Sequence, residues 1–241
     1  MLRAIWKTDN EIIGLYSRNE REAKNCARGN KVDLYHDLAV IPSTADLYLV
    51  CVNDDAISEI ISALPSEIKE SKIVAHTSGS QPIGVLEGIT NAGVFYPIQT
   101  FTKGRKMTYD DIPFCINSNS EHVENKLSNL ADTISRNVNL TTDEQRKNIH
   151  LAAVMMNNFV NHLIYKSEEF LEKNDLPPVL IQPLLRQTIA KHAKLGSFAA
   201  QTGPAVRNDK NTIKSHLALL PNKIDKALYK AISASITESH K

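Results

Sequence analysis

The sequence predicts two classes of structure in succession: an α/β part with a mostly parallel sheet over residues 1–141, then an all-α part over residues 142–241. Three observations lead there. Short apolar runs alternate with helical runs through the first 140 residues, the pattern of a parallel sheet covered on both faces. That alternation stops near Thr141. From there to about Lys173 helical periodicity continues with no Gly or Pro to interrupt it, which spans roughly 30 residues or about 45 Å of helix.

The elements follow in order. Leu2–Lys7 reads as the end of a helix, Glu11–Tyr16 as a strand, and Glu20–Arg28 as a helix punctuated by Gly29-Asn30. Leu47–Val52 is a continuous apolar run, expected for a strand buried on both faces. In Asp55–Leu64 the residues Ile57, Ile60, Ile61 and Leu64 recur at helical spacing. Lys72–His76, Gly93–Tyr96 and Pro113–Asn117 read as further strands, and Asn119–Ser135 as a helix. Thr141 and Thr142 with Glu144 and Gln145 offer a cap and a capping-box partner for the long helix. Asp175-Leu176-Pro177-Pro178 ends it. Helices are then expected over Pro183–Leu195, closed by Gly196, and over Thr212–Leu220 and Asn222–Ser239. Ser197–Asn211 reads as a polar loop.

Composition narrows the function classes. The chain has 241 residues, 42% hydrophobic and 23% charged, with a net charge of +1. That balance gives no field for nucleic acid or an anionic membrane surface. No apolar run reaches the ~18 residues of a transmembrane helix, and no signal-peptide pattern opens the chain, so a cytoplasmic location is expected. Cys26, Cys51 and Cys115 are odd in number and dispersed, which argues for structural thiols rather than a disulfide framework or a metal site. No metal ligand set is expected.

A dinucleotide-binding, Rossmann-type sheet begins with a strand, a glycine-rich turn and a helix. Here the strand at Glu11 reads as the second of such a sheet, and no GxGxxG occurs. The reading is therefore of a Rossmann-type domain whose first strand and glycine loop are missing from the sequence given. About twenty upstream residues with an apolar strand and a Gly-rich turn are expected.

Ligands of open α/β sheets sit outside the carboxyl ends of the strands. Ser17 and Arg18 follow the first strand. Hydroxyl and guanidinium donors there suit a ribose 2′-phosphate and so favour NADP over NAD, where an acidic residue would bind ribose hydroxyls. A solvated Arg after a strand fits the same residues. Val52, Asn53 and Asp54 end the next strand and are candidates for cofactor contact, or a helix cap. His76, Thr77 and Ser78 lie in His76-Thr77-Ser78-Gly79-Ser80, where small hydroxyl residues and Gly allow close ligand approach; a turn and cap is the alternative. Tyr96, Gln99 and Thr100 follow the next strand; Tyr96 can donate a proton or a hydrogen bond to a substrate oxygen, and a core or interface aromatic is the alternative. On the long helix, His150, Asn157, Asn158, Asn161 and His162 are polar on an otherwise apolar stretch and suggest a substrate-binding wall or helix–helix hydrogen bonds, with His150 and Asn158 the substrate-binding candidates. The loop Gln201–Asp209 contains Thr202, Gly203, Pro204 and Arg207, the last suited to an acidic substrate. His76, Ser78, Asn158 and Thr202 are the candidates for direct hydrogen bonds to reacting groups.

Taken in order, these segments resemble one family over essentially the whole chain. The match is carried by Leu15–Arg18, Ala45–Leu49, Val52–Ile57, His76–Ser80, Phe95–Phe101, Ile112–Ile116, Glu144–Arg146, His150–Val154, Asn158–Leu163 and Gln201–Arg207. That family joins a Rossmann-like NAD(P)-binding domain to a C-terminal helical domain of unknown function. It is distantly related to pyrroline-5-carboxylate reductase and the β-hydroxyacid dehydrogenases. The resemblance implies an NADP-dependent oxidoreductase moving a hydride to or from a small, anionic substrate. It also implies a homodimer built by the helical part. A non-catalytic nucleotide-binding or dimerisation protein on the same fold is the alternative.

Overall fold

The computed structural model describes residues 2–27, 29–101 and 107–241. It packs as two compact units, Met1–His162 and Leu163–Lys241.

The first unit is α/β. Helix α1 (Leu2–Ile5) precedes strand β1 (Gly14–Tyr16), helix α2 (Glu20–Ala27) and strand β2 (Asp33–Tyr35). Strand β3 (Leu47–Val50), helices α3 (Ile57–Ala63) and α4 (Ser66–Ser71), and strands β4 (Ile73–His76), β5 (Asn91–Pro97) and β6 (Phe114–Ser118) follow. Helix α5 (Glu121–Asp132), strand β7 (Val138–Leu140) and helix α6 (Asp143–Ala153) complete it. The predicted α2 residue Arg28 lies outside the described residues. Strands β1 and β2 pair in parallel as one small sheet, and β3-β4-β5-β6-β7 form a second in that order. All ladders are parallel except β5–β6.

Side chains alternate across the five-stranded sheet and fill two cores. Ile73 and Ala75 of β4 join Phe95, Phe114 and Ile116 beneath Val123, Leu127 and Ala131 of α5. Val74 faces the other way, onto Ile57, Ile60 and Ile61 of α3 and Ile68 of α4. A sheet covered on both faces must bury near-continuous apolar strands, and β4 is buried at every residue. Burying each such Ile, Leu or Phe contributes about 1.5–3 kcal/mol.

Several expectations are corrected here. β3 is half-buried rather than buried on both faces, because it stands at an edge of its sheet. Its chain leaves the ladder after Val50, so Cys51 is exposed; Cys26 on α2 is exposed too, and Cys115 is buried. β2 and β7 carry no strand signal in the sequence, since each has three residues and a largely exposed face. Helix α4 has no counterpart among the elements read from the sequence.

The predicted long helix is present as α6, a π-helical segment over Val154–Phe159, and helix α7 (Val160–Glu172). Thr142 caps it through the Gln145 N–H, and the Gln145 side chain returns to the Thr142 N–H. Helix α7 continues into the second unit, which holds α8 (Gln182–Leu195), α9 (Ser197–Ala200), α10 (Lys210–Leu219) and α11 (Lys223–Ser239). Gly196 takes a positive φ of 77° between α8 and α9. Asp209 and Asn222 cap α10 and α11. Among the described residues, no helix is long and apolar enough to cross a membrane.

Candidate functional site

The carboxyl end of β4 sets the site. His76 is 0% exposed, and its Nδ1 accepts the Ser78 N–H at 3.1 Å. An accepting Nδ1 places the neutral ring's proton on Nε2. Burial, reinforced by the Arg146 charge, holds the His76 pKa down to about 4. The Pro82 carbonyl and two carboxylates oppose that shift, but Nε2 makes no hydrogen bond of good geometry. His76 is thus a neutral anchor inside the fold.

The turn that follows is stitched by hydroxyls. Ser78 Oγ accepts the N–H groups of Ser80 (3.1 Å) and Gln81 (3.0 Å). Ser residues compete well for backbone donors in turns. Ser80 Oγ donates to Asp54, which opens the helical turn Asp54–Ala56 after Asn53. Thr77 N–H donates to the Val50 carbonyl at 3.3 Å. The candidate residues after β3 and after β4 therefore meet.

Gly79 lies at the crowded point. A Cβ there would fall 2.6 Å from His150 Nδ1 and 2.6 Å from Tyr96 Cζ, so any larger residue would have to displace those two rings. Tyr96, on β5, and His150, on α6, meet at 3.1 Å between Oη and Nδ1, ring edge toward ring face. Burial, with a further push from Cys115, raises the Tyr96 pKa above its ordinary value of 10.0. Its phenol stays protonated at neutral pH. Gln99 and Thr100 are exposed beyond β5. Asn157, in the π-helical segment, donates to Thr100 Oγ1 at 2.9 Å and to Asn158 Oδ1 at 3.3 Å. π turns inside α-helices recur at functional sites. Asn157 belongs to the polar wall read from the sequence, whereas the direct contact is expected of its neighbour Asn158.

Arg146 was missed. It is 0% exposed on α6, and its Nη2 donates to the Gln81 carbonyl and, at 2.8 Å, to Asp143. Its Nε and Nη1 are buried without a protein acceptor. Asp143 also accepts the Ile83 N–H (3.0 Å) and the Asn117 side chain (2.9 Å). Burial works against its charge, but the Arg146 and Ile83 hydrogen bonds outweigh that and hold its pKa below 3.8. The pair ties α6 to the β4–β5 connection and to β6. A charged residue inside the first helical turns reads as solvated in sequence, so only tertiary structure reveals it.

Ser17 and Arg18 follow β1. Ser17 Oγ accepts the Asn19 N–H at 3.1 Å, and Arg18 Nη1 lies 3.5 Å from Glu59 Oε1. Beside them is a cavity of about 240 Å³ lined by Tyr16, His36, Leu38, Glu59 and Ile60, among others. Val52 is exposed. The remaining candidates, Thr202, Gly203, Pro204 and Arg207, belong to the second unit. There Gly203 has a φ of 117°, and Asp209 N–H donates to the Pro204 carbonyl at 2.9 Å. Thr237 Oγ1 secures the buried Ala205 through its carbonyl at 3.0 Å, while Thr202 and Arg207 stay exposed.

Comparison with known proteins follows this geometry. Residues 6–99 match a Rossmann-like domain, and residues 112–236 match a domain of unknown function, DUF2520. The chain is similar in structure to a candidate NADP oxidoreductase from Bacteroides fragilis, with 36% identity and a TM-score of 0.88 over 98% of this chain and 92% of that one. It is also similar to a protein from Thermotoga maritima, with 22% identity and a TM-score of 0.78 over 99% and 95% of the chains. 1-Pyrroline-5-carboxylate reductase from Streptococcus pyogenes shares the fold, with 10% identity and a TM-score of 0.63 over 100% and 92%. No curated protein matches by sequence. The chain belongs to the family that joins a Rossmann-like domain to the C-terminal domain DUF2520.

Proposed function

We propose that the chain is an NADP(H)-dependent oxidoreductase acting on a small, anionic substrate with a carbonyl, imine or alcohol. The observation that carries this reading is the Tyr96–His150 contact pressed against Gly79, beside the carboxyl end of β4. A proton-carrying pair at such a strand end is what a reductase requires next to its cofactor. The Bacteroides fragilis similarity, at 36% identity, supports the same cofactor.

The residues present fit a 2′-phosphorylated dinucleotide. Ser17 and Arg18 offer donors for the phosphate at the end of β1. Asn53, Asp54, Thr77 and Ser78 surround the next two strand ends, and Gly79 lets the Tyr96–His150 pair close against the turn beside them. When bound, NADPH supplies the hydride.

The protein's own part is proton handling and positioning. Tyr96 keeps its phenolic proton at neutral pH and hands it to the substrate oxygen or nitrogen as the hydride adds. Half-buried His150 takes a proton from solvent and passes it to the phenolate across the 3.1 Å contact, returning to its neutral form. Gln99, Thr100 and Asn158 hold the substrate from the loop after β5 and from the π turn. His76 and Ser78 fix the turn that carries Gly79. The functional boundary lies at residues 141/142, where the capped helix begins, and the helical part builds a homodimer.

The test is NADPH binding by fluorescence titration, then loss of NADPH absorbance with a panel of cyclic imines, keto acids and ketones. Tyr96→Phe should bind NADPH normally and lose about 10²-fold or more in turnover. Absence of NADPH binding, or an unchanged Tyr96→Phe rate, would sink the reading.

A further inference from the structure

Tyr16 closes β1, and His36 follows the end of β2. Both line the 240 Å³ cavity, with Leu38 and Ile60 as apolar walls and Asp37 and Glu59 as acidic lining. Two flat rings and apolar walls beside hydrogen-bonding groups suit one flat heteroaromatic ring with polar edges. His36 is tethered there: its Nδ1 donates to the Ser17 carbonyl at 2.8 Å. A carbonyl can only accept, so this bond fixes the ring's tautomer.

Two opposite charges stand at this place. Arg18 arrives from the end of β1 and Glu59 from α3, with Nη1 and Oε1 3.5 Å apart. Their side chains are 65% and 67% exposed. Exposed pairs contribute little and exchange partners readily. The two groups prefer opposite ligands. A guanidinium donates to a phosphate dianion, whereas a carboxylate accepts from ribose hydroxyls and repels phosphate. Each therefore masks the other while no nucleotide is bound.

We propose that Arg18 and Glu59 form an exchangeable selector at a purine-nucleotide pocket, Arg18 favouring a 2′-phosphate and Glu59 a free 2′-hydroxyl. The chain then accepts both kinds of nucleotide, and its preference is the balance of two residues. This rests on the nucleotide-binding reading above and adds Glu59 as the residue that limits NADP selectivity. Glu59 reaches the site from a helix rather than from the strand end where an acidic residue is usually sought.

The test uses the full chain with adenosine 2′,5′-bisphosphate and 5′-AMP as probes, by isothermal titration or NMR titration. These fragments need neither a pyrophosphate loop nor a nicotinamide subsite. Glu59→Gln, which keeps shape and removes charge, should tighten the bisphosphate about two- to fivefold and weaken 5′-AMP. Arg18→Ala should weaken the bisphosphate about tenfold and leave 5′-AMP nearly unchanged. Both sites are exposed, and matching circular dichroism checks the fold. An unchanged ratio of the two affinities in Glu59→Gln overturns the proposal, as does a wild-type chain that binds neither fragment. Normal fragment binding with no binding of NADPH counts instead against the oxidoreductase reading.

Discussion

His76 shows what burial does to a single side chain. In the unfolded chain its ring takes up a proton near 6.5; in the fold it resists until about 4. Between those values the unfolded state binds more protons, so stability falls as pH drops from about 6.5 toward about 4, and this contribution is constant above. The full gap corresponds to at most about 3 kcal/mol. Denaturant midpoints at pH 7 and pH 5 should therefore differ. His76→Asn keeps an acceptor for the Ser78 N–H but carries no titrating ring, and it should lose less between the same two pH values. Equal losses in both proteins would show that His76 is not the group responsible. At this scale the sequence was informative about position. His76, Ser78, Gly79 and Tyr96 were legible because they follow apolar strand runs, and strand ends are where ligands meet such sheets. Burial was not legible: nothing in the order of residues says that His76 is sealed while Tyr96 and His150 meet beside it.

Helix α6 gives the corresponding lesson for an element. Its Thr142 cap was legible, because a cap acts within four residues of the chain. Its most buried side chain, Arg146, was not, because its partners are Gln81 and the Asp143 carboxylate that also binds Ile83 and Asn117. Removing either half of this pair has unequal consequences. Arg146→Met leaves Asp143 with two other donors and a side chain 29% exposed, so the cost should be about 1–3 kcal/mol. Asp143→Asn leaves a fully buried cation, and the cost should reach about 3–5 kcal/mol. Urea unfolding of the two variants checks the order; a larger loss in Arg146→Met contradicts it. The π-helical segment of the same long helix was equally hidden. A 3.6-residue period read through Val154–Phe159 cannot show a wider turn, and so cannot say which of Asn157 and Asn158 reaches Thr100.

For the whole molecule, the distribution of exposed apolar surface is the main observation. Leu184, Ile189, Phe198, Leu219 and Ile224 are each more than 60% exposed in the second unit. Single exposed apolar residues are ordinary, but so many on one helical unit support the proposed dimer. We expect a homodimer by light scattering coupled to size exclusion. Leu184→Glu combined with Ile189→Glu should shift it to monomer, and a monomeric wild type at micromolar concentration would refute the expectation.

The sequence by itself determined the order of classes, strands β3 to β6 of the main sheet, the capped long helix and the family. Those features rest on local periodicity and on caps and breakers acting over a few residues. Tertiary structure alone decided three others: that β3 is a half-buried edge, that Gly79 has no room for a Cβ, and that Arg146 and Glu59 reach their partners. Glu59 meets Arg18, Arg146 meets Gln81 and Gly79 meets His150 across 41, 65 and 71 residues of chain brought within a few ångströms. Burial and charge pairing are set by that approach, which no local pattern encodes.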